Sequence, residues 1–189
     1  MLPYYFIPIK YFTWCLKAGD FCVPQKFHYD KRLKLNRCRL ASSQGALDVS
    51  VPLINGRNQR TPLHEIQIDF TRKWVREHIH SIKTVYGKAP YFLFYCDPLF
   101  YILQEEERSF TTMSVKLMNE ILGLLKMPER VTISDKDTLI NSEEIKLIPF
   151  QYHQLFEERT GFIEGCSILD LLFNYGPDTA AILKRYSLN

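Results

Sequence analysis

The chain has 189 residues, 46% of them hydrophobic and 14% aromatic, so it can bury the core of one domain. Its formal net charge of only +3 disfavours nucleic acid as a partner. No run of residues reaches the roughly 18 apolar positions that a membrane-spanning helix requires.

The N-terminal residues are predicted to form a β-α-β unit. Residues 2–6 have the pattern of a short apolar strand, residues 9–18 that of a helix, and residues 21–23 that of a second strand. Gly19 suits the position just after the helix. In such units ligands bind beyond the carboxyl ends of the strands, which is where Tyr4 and Tyr5 lie, so we expect one of these tyrosines to border the principal cleft.

A segment of concentrated positive charge follows, from His28 to Ala41. Tyr29, Asn36 and the single acid Asp30 are interleaved with its cations. The six cations in or beside the segment are Lys26, Lys31, Arg32, Lys34, Arg37 and Arg39. Cations beside an aromatic ring and an amide suit a ligand that carries phosphate or carboxylate on a planar or sugar portion. The alternative is a solvated edge strand whose charges prevent aggregation.

The rest of the chain contains further predicted strands and helices. In chain order they are a hairpin of residues 36–40 and 46–53 around SSQG, a strand at 66–68, a helix at about 75–86, a helix starting at Asp97-Pro98, a helix at 110–124, strands at 131–133 and 145–150, and two helices within 167–186 that break at Gly176-Pro177. Arg37 and Arg39 share one face of the hairpin. Trp74 and His78, one helical turn apart, are predicted to pack together as structural residues.

These elements predict an α/β fold. We expect a single domain of residues 1–189, with a mixed sheet that starts from the β-α-β unit and is covered by helices.

Candidate catalytic residues give weaker signals. His28 is the best general-base candidate, because histidine ordinarily titrates near neutrality. Cys38 lies between two arginines that would lower its pKa, which makes it an alternative nucleophile. Ser167 and Asp170 have the spacing of a helix capping box, while Asp170 and Asn174 on one helix face leave a functional role open.

Metal and cofactor motifs are missing from the sequence. His78 and His80 would point to different sides of one helix, so we expect no metal site. The glycines form neither GxGxxG nor GxxxxGK[ST], and the cofactor therefore stays unknown. Five cysteines without a CxxC pair are typical of reduced thiols in a cytoplasmic protein.

Four motifs, in this order, resemble the WbqC-like protein family of bacteria. They are Pro3-x-Tyr5-Phe6 with Pro8, the basic segment HYDKRLKLNRCRL, the helix and junction TRKWVREHIHSIKTVYGKAPYF, and the terminal stretch QYHQLFEERTGFIEGCSILDLLFNYGPD. The chain differs from many relatives at Leu2, where they carry Gln, and between residues 135 and 148, where they carry an extra βα segment.

The resemblance implies a role in bacterial surface-polysaccharide biosynthesis of the O-antigen or LPS type, such as transfer of an acyl or aminoacyl group to an amino sugar. We expect a cytoplasmic transferase-like enzyme whose substrate is small, anionic, and phosphate- or nucleotide-linked. The expected substrate-binding residues are Tyr5, Tyr29, Lys31, Arg32, Asn36, Arg37 and Arg39, with His28 as the catalytic candidate. The alternative is a noncatalytic module that binds a similar ligand or a partner enzyme. The substrate, the reaction and the oligomeric state remain open.

Overall fold

The computed structural model describes residues 1–54, 61–135 and 150–188. These residues form seven α-helices and four short strands, which in chain order are α1 (Ile9–Ala18), β1 (Cys22–Pro24), β2 (Arg37–Ser42), β3 (Gly45–Ser50), α2 (Trp74–Tyr86), α3 (Phe92–Gln104), α4 (Phe110–Leu124), β4 (Thr132–Ser134), α5 (Glu157–Thr160), α6 (Ile168–Tyr175) and α7 (Asp178–Ser187). Single 3-10 turns occur at Lys31–Leu33 and Leu63–Glu65.

The strands pair in both directions. β1 lies parallel to β4 with Val23 opposite Ile133, and β2 lies antiparallel to β3 with Arg39 opposite Asp48. Helices pack around these pairs: α1 contacts α7, α3 contacts α4 and α6, and β2 is covered by α2 and α6. The predicted α/β single domain is thereby confirmed. Among the described residues, no helix is long and apolar enough to cross a bilayer.

The first predicted strand, residues 2–6, is wrong. The segment is almost entirely buried, which explains its apolar sequence, but it is irregular. The Tyr4 amide bonds to the Leu2 carbonyl at 3.1 Å, and Phe6 has a left-handed φ of 49°. Both features turn the chain away from an extended conformation, so the segment makes only isolated backbone contacts such as Tyr5 N to Leu35 O at 2.8 Å.

Most of the other predicted helices and strands are confirmed, with two exceptions. The strand predicted at 66–68 is reduced to isolated bridges. A helix was expected to start at Asp97-Pro98, but α3 begins at Phe92 and carries Pro98 inside it. A proline inside a helix costs about 3 kcal/mol or more. The buried face of α3 offsets that cost through Phe92, Cys96, Leu99 and Leu103. The strand predicted at 145–150 lies outside the described residues apart from Phe150.

Trp74 and His78 pack together on the buried face of α2, as predicted. Their rings meet edge to face with centroids 5.0 Å apart, and the Tyr5 hydroxyl hydrogen-bonds to His78 Nδ1 at 3.0 Å. Burial lowers the pKa of His78 to about 4, although a hydrogen bond with the Ser50 backbone acts in the opposite direction. The imidazole is therefore held neutral between α2, the N-terminal segment and the end of β3.

The turn between α6 and α7 depends on the absence of a side chain at Gly176. This residue has φ 51° and ψ −120°, and a Cβ atom there would overlap the Tyr91 ring. We expect Gly176→Ala to lower the free energy of unfolding by about 2–4 kcal/mol, because backbone strain and overpacking each cost roughly 1–3 kcal/mol. Gly123→Ala in α4, where a Cβ would meet nothing within 4 Å, should be neutral or stabilising by up to about 1 kcal/mol. Equal denaturation curves for both variants would contradict this account.

The buried His78 should make stability depend on pH. The unfolded chain protonates this histidine near its ordinary pKa of 6.5, whereas the folded chain does so only near 4. The unfolded state therefore binds more protons in this window, and stability falls as pH drops from about 6.5 to about 4. The loss should reach about 3 kcal/mol at pH 4.

His78→Gln removes this titration. Denaturant unfolding at several pH values should show the variant less stable than the parent near pH 7.5, with the gap narrowing towards pH 4. Parallel pH profiles for the two proteins would rule out titration of His78 as the cause.

Candidate functional site

A cleft of about 250 Å³ opens between the N-terminal segment, the β2–β3 hairpin and the residues before α6. Its apolar wall consists of Tyr4, Phe6, Pro8 and Leu33, and its cations are Lys34, Arg37 and Arg39. Asp48, Gly165 and Ser167 complete the lining. We call this site the basic cleft.

Backbone hydrogen bonds join the three segments that form the basic cleft. The Ser167 amide donates to the Arg39 carbonyl at 2.9 Å, and the Ile168 amide donates to the Ile7 carbonyl at 2.9 Å. The Ile9 amide donates to the Cys166 carbonyl at 3.1 Å. The cleft walls are therefore fixed by main-chain contacts, which do not depend on the side chains that face the opening.

Arg39 is already engaged within the protein. Its Nε and Nη2 donate to the two carboxylate oxygens of Asp48 at 2.8 and 2.9 Å, across the hairpin. These hydrogen bonds hold the pKa of Asp48 below its usual value. The pair is largely neutral as a unit, so Arg39 contributes shape and residual donors to the cleft more than net charge.

Lys34 and Arg37 carry the net positive charge of the cleft. Both side chains are exposed, and among the described residues neither has an ion-pair partner. Lys34 takes a left-handed φ of 53° after the 3-10 turn, and the Arg37 amide bonds to its carbonyl at 3.0 Å. This tight turn holds the two cations at the mouth of the cleft. Their charge also contributes to the lowered pKa of Asp48.

Ser167 brings a buried hydroxyl to the cleft. It is the residue before α6, but its side chain makes no capping bond, so the predicted capping box does not form. Its Oγ has no hydrogen-bond partner of normal geometry in the described part of the chain, although the Cys38 thiol lies near enough to interact with it. Asp170 faces away, into a buried cluster with Tyr152 and Gln154.

The tyrosine on the cleft wall is Tyr4. Its ring packs on Tyr11, and burial, followed by the proximity of Cys15, raises its pKa to about 12, so its hydroxyl stays protonated. Tyr5 is fully buried against Phe6 and His78, and neither face of its ring is open to a ligand.

Tyr29 and Asn36 hold the base of the hairpin. The Tyr29 hydroxyl donates to Asn36 Oδ1 at 3.3 Å, and Asn36 Nδ2 donates to the Val51 carbonyl at 2.7 Å. Both polar groups therefore have partners inside the fold, and neither residue lines the basic cleft.

The remaining predicted site residues are exposed and lie outside the lining of the cleft. Arg32 folds back onto Asp30, with Nε and Nη2 at 2.9 and 2.6 Å from Oδ2. Lys31 is exposed in the same 3-10 turn, and His28 is exposed where it bridges Pro62. The structure thus brings Arg37 and Arg39 together in the cleft, while these three residues stand outside its lining.

The expectation of a reactive Cys38 is wrong. Its thiol is buried, which raises its pKa to about 12. The flanking arginines point to the opposite face of β2, so their charge does not activate it. Within residues 1–54, 61–135 and 150–188, no group of three or more His, Cys, Asp or Glu residues could hold a metal ion.

The arrangement is suited to binding an anion. Of the described lining residues, Asp48 is the only carboxylate and is held by Arg39, while Tyr4 keeps its proton. Sequence reasoning did not select Lys34 or Ser167 for the site. Lys34 belonged to the recognised basic segment, and Ser167 to the terminal motif, but only the tertiary contacts bring them together.

Comparison of the sequence with known proteins identifies its family. The chain is 25% identical to a Mycobacterium tuberculosis protein, "Uncharacterized protein Rv1507c", over 95% of this chain and 94% of that protein. No solved structure matches the chain significantly. The model of the WbqC-like protein family matches residues 3–150, which include both the N-terminal segment and the hairpin of the basic cleft. Because that match covers well over half of the sequence, the chain belongs to the WbqC-like protein family.

Proposed function

We propose that the basic cleft binds a small anionic substrate through Lys34 and Arg37. The observation that carries this proposal is two exposed cations, without acidic partners among the described residues, beside an apolar wall. Unpaired like charges repel each other, and a phosphate or carboxylate between them relieves that repulsion. Arg37 supplies a planar fork that can grip two oxygens, and Lys34 supplies a point charge.

The dimensions and lining of the cleft limit its ligand. Its volume of about 250 Å³ lies below the range of roughly 300–1,000 Å³ that encloses drug-sized ligands. The cleft therefore suits an anionic head with a small apolar or sugar portion, while the rest of a phosphate- or nucleotide-linked substrate extends outside. Lys31 adds positive potential near the mouth, and Tyr29 and Asn36 stabilise the hairpin that presents Arg37.

The biological role we infer is that of a cytoplasmic transferase in bacterial surface-polysaccharide biosynthesis, with residues 1–189 acting as one domain. An acyl or aminoacyl transfer to an amino sugar is consistent with an anionic acceptor or donor. A noncatalytic binding module is the second candidate. It is favoured by a described lining that has no histidine and whose single carboxylate is held by Arg39. His28 can serve as the base only for a substrate that reaches beyond the cleft.

Phenyl phosphate is a suitable probe, because it joins a dianion to a small apolar ring. At a hundredfold excess over its dissociation constant it should stabilise the folded chain by about 2.7 kcal/mol, read as a rise in melting temperature. Arg37→Gln should weaken this stabilisation, and Arg37→Lys should restore it only in part. Added salt should also weaken it, because exposed cations are screened.

Arg130→Gln is the matched control, since Arg130 is exposed and lies outside the cleft lining. It should behave like the parent protein with the probe. If Arg130→Gln and Arg37→Gln reduced the stabilisation by phenyl phosphate equally, the probe would be responding only to overall charge. No shift of the melting curve with phenyl phosphate, phosphate or benzoate would refute the proposed site.

A further inference from the structure

A second groove, of about 370 Å³, lies where α2 begins and α3 ends. Three cations and three apolar side chains face it: Arg72, Lys73 and Arg76, with Phe70, Val75 and Ile79. Gln104 and Glu106 close its far side. We call it the α2 groove. It shares no lining residue with the basic cleft, and its volume falls within the range of roughly 300–1,000 Å³ that is typical of small-molecule sites.

The α2 groove carries net positive charge. All three cations are exposed, and none makes an ion pair within the part of the chain that the structure describes. Glu106 is the single acid among the described lining residues, which leaves an excess of two positive charges. Two anionic groups on one ligand would balance that excess.

The cations also lie at an unfavourable end of α2. The helix starts at Trp74, and Lys73 in front of it makes no side-chain capping bond. The N-terminus of a helix carries partial positive charge, so cations there are destabilising and anions are stabilising. Glu77 is the one acid in the first turn. A bound phosphate would relieve both the mutual repulsion of the cations and their repulsion from the helix end.

Phe70 adds a planar surface to the groove. Its ring is partly buried and packs against Trp74 with centroids 5.7 Å apart, which fixes its position. Val75 and Ile79, also partly buried, continue this apolar floor along α2. A ring held in place beside cations can stack on a flat heterocycle while the cations hold phosphates.

We propose that the α2 groove binds a nucleoside diphosphate. Phe70 stacks on the base, and Arg72, Lys73 and Arg76 bind the two phosphates. This site is separate from the basic cleft, and the inference does not depend on the function proposed for that cleft.

The test uses uridine diphosphate as the probe and the full chain at low ionic strength. Calorimetric titration should give a measurable Kd, and amide chemical-shift changes should centre on residues 70–79 and 104–106. Arg76→Gln should raise Kd about tenfold, in line with the loss of a charge-assisted contact. Arg130→Gln makes the same charge change at an exposed arginine that lines neither site and should alter Kd less than about twofold.

Phe70→Leu separates stacking from charge. It should weaken uridine diphosphate binding about fivefold or more while leaving inorganic pyrophosphate binding nearly unchanged. The exposed Arg76 variant should keep the parent's melting temperature, so the test does not depend on the stability of the Phe70 variant. Shift changes confined to the basic cleft, equal effects of Arg76→Gln and Arg130→Gln on Kd, or no detectable binding would each overturn the proposal. The Arg37 result with phenyl phosphate is read independently of these outcomes.

Discussion

The junction of the N-terminal segment, β2 and the residues before α6 is the constraint on which the site depends. Its backbone hydrogen bonds join positions 7, 39 and 167–168, which are far apart in sequence. They bring the apolar residues Phe6 and Pro8 beside the cationic strand. The hairpin alone could not form this arrangement, because the walls of the basic cleft include residues from both ends of the chain. The cleft is therefore a product of the complete fold.

A buried carboxylate stabilises the C-terminal side of that junction. Asp170 is fully buried, and burial raises its pKa, while hydrogen bonds from Tyr152, Tyr86 and Gln154 act in the opposite direction. Gln154 Nε2 also bonds to the Ile163 carbonyl at 3.0 Å, so one amide ties α6 to the loop before it. Removing one partner from such a network would leave a buried polar group without its hydrogen bond, which lowers the free energy of unfolding. These hydrogen bonds give Tyr152, Gln154 and Asp170 of the terminal sequence motif a structural role.

Helix α2 has a buried face without charge and an exposed face that carries charge. Its inner face carries Trp74 and a His78 that burial keeps uncharged, and both pack near Tyr5. Its exposed face carries Arg76 of the α2 groove, and Arg72 and Lys73 lie just before its first residue. Tyr5 follows Tyr4 of the basic cleft, and its ring packs on Trp74, which packs on Phe70 of the α2 groove, so aromatic contacts connect the linings of the two sites. Rigid packing on one face leaves the other face free to hold charge that does not stabilise the fold.

The sequence by itself determined the α/β class, the ends of α1 and α4, the break at Gly176-Pro177 and the concentration of cations before and at the start of β2. These features depend on local rules: helical periodicity, proline and glycine geometry, and strand alternation. The same alternation placed Arg37 and Arg39 on one face. Local rules failed for residues 2–6 and for Pro98, because burial among distant residues outweighed the local preference in both places.

Only the tertiary structure decided which cations face a cavity and which have partners inside the protein. The sequence does not distinguish Arg32 and Arg39 from Arg37. In the structure, however, Arg32 pairs with Asp30 and Arg39 pairs with Asp48. Lys34 gains its place from a left-handed turn, and Ser167 from the far end of the chain. The pKa of Cys38 likewise follows from burial and not from its neighbours in sequence. Charge is a property of each residue, but its availability to a ligand depends on distances between segments that no local pattern encodes.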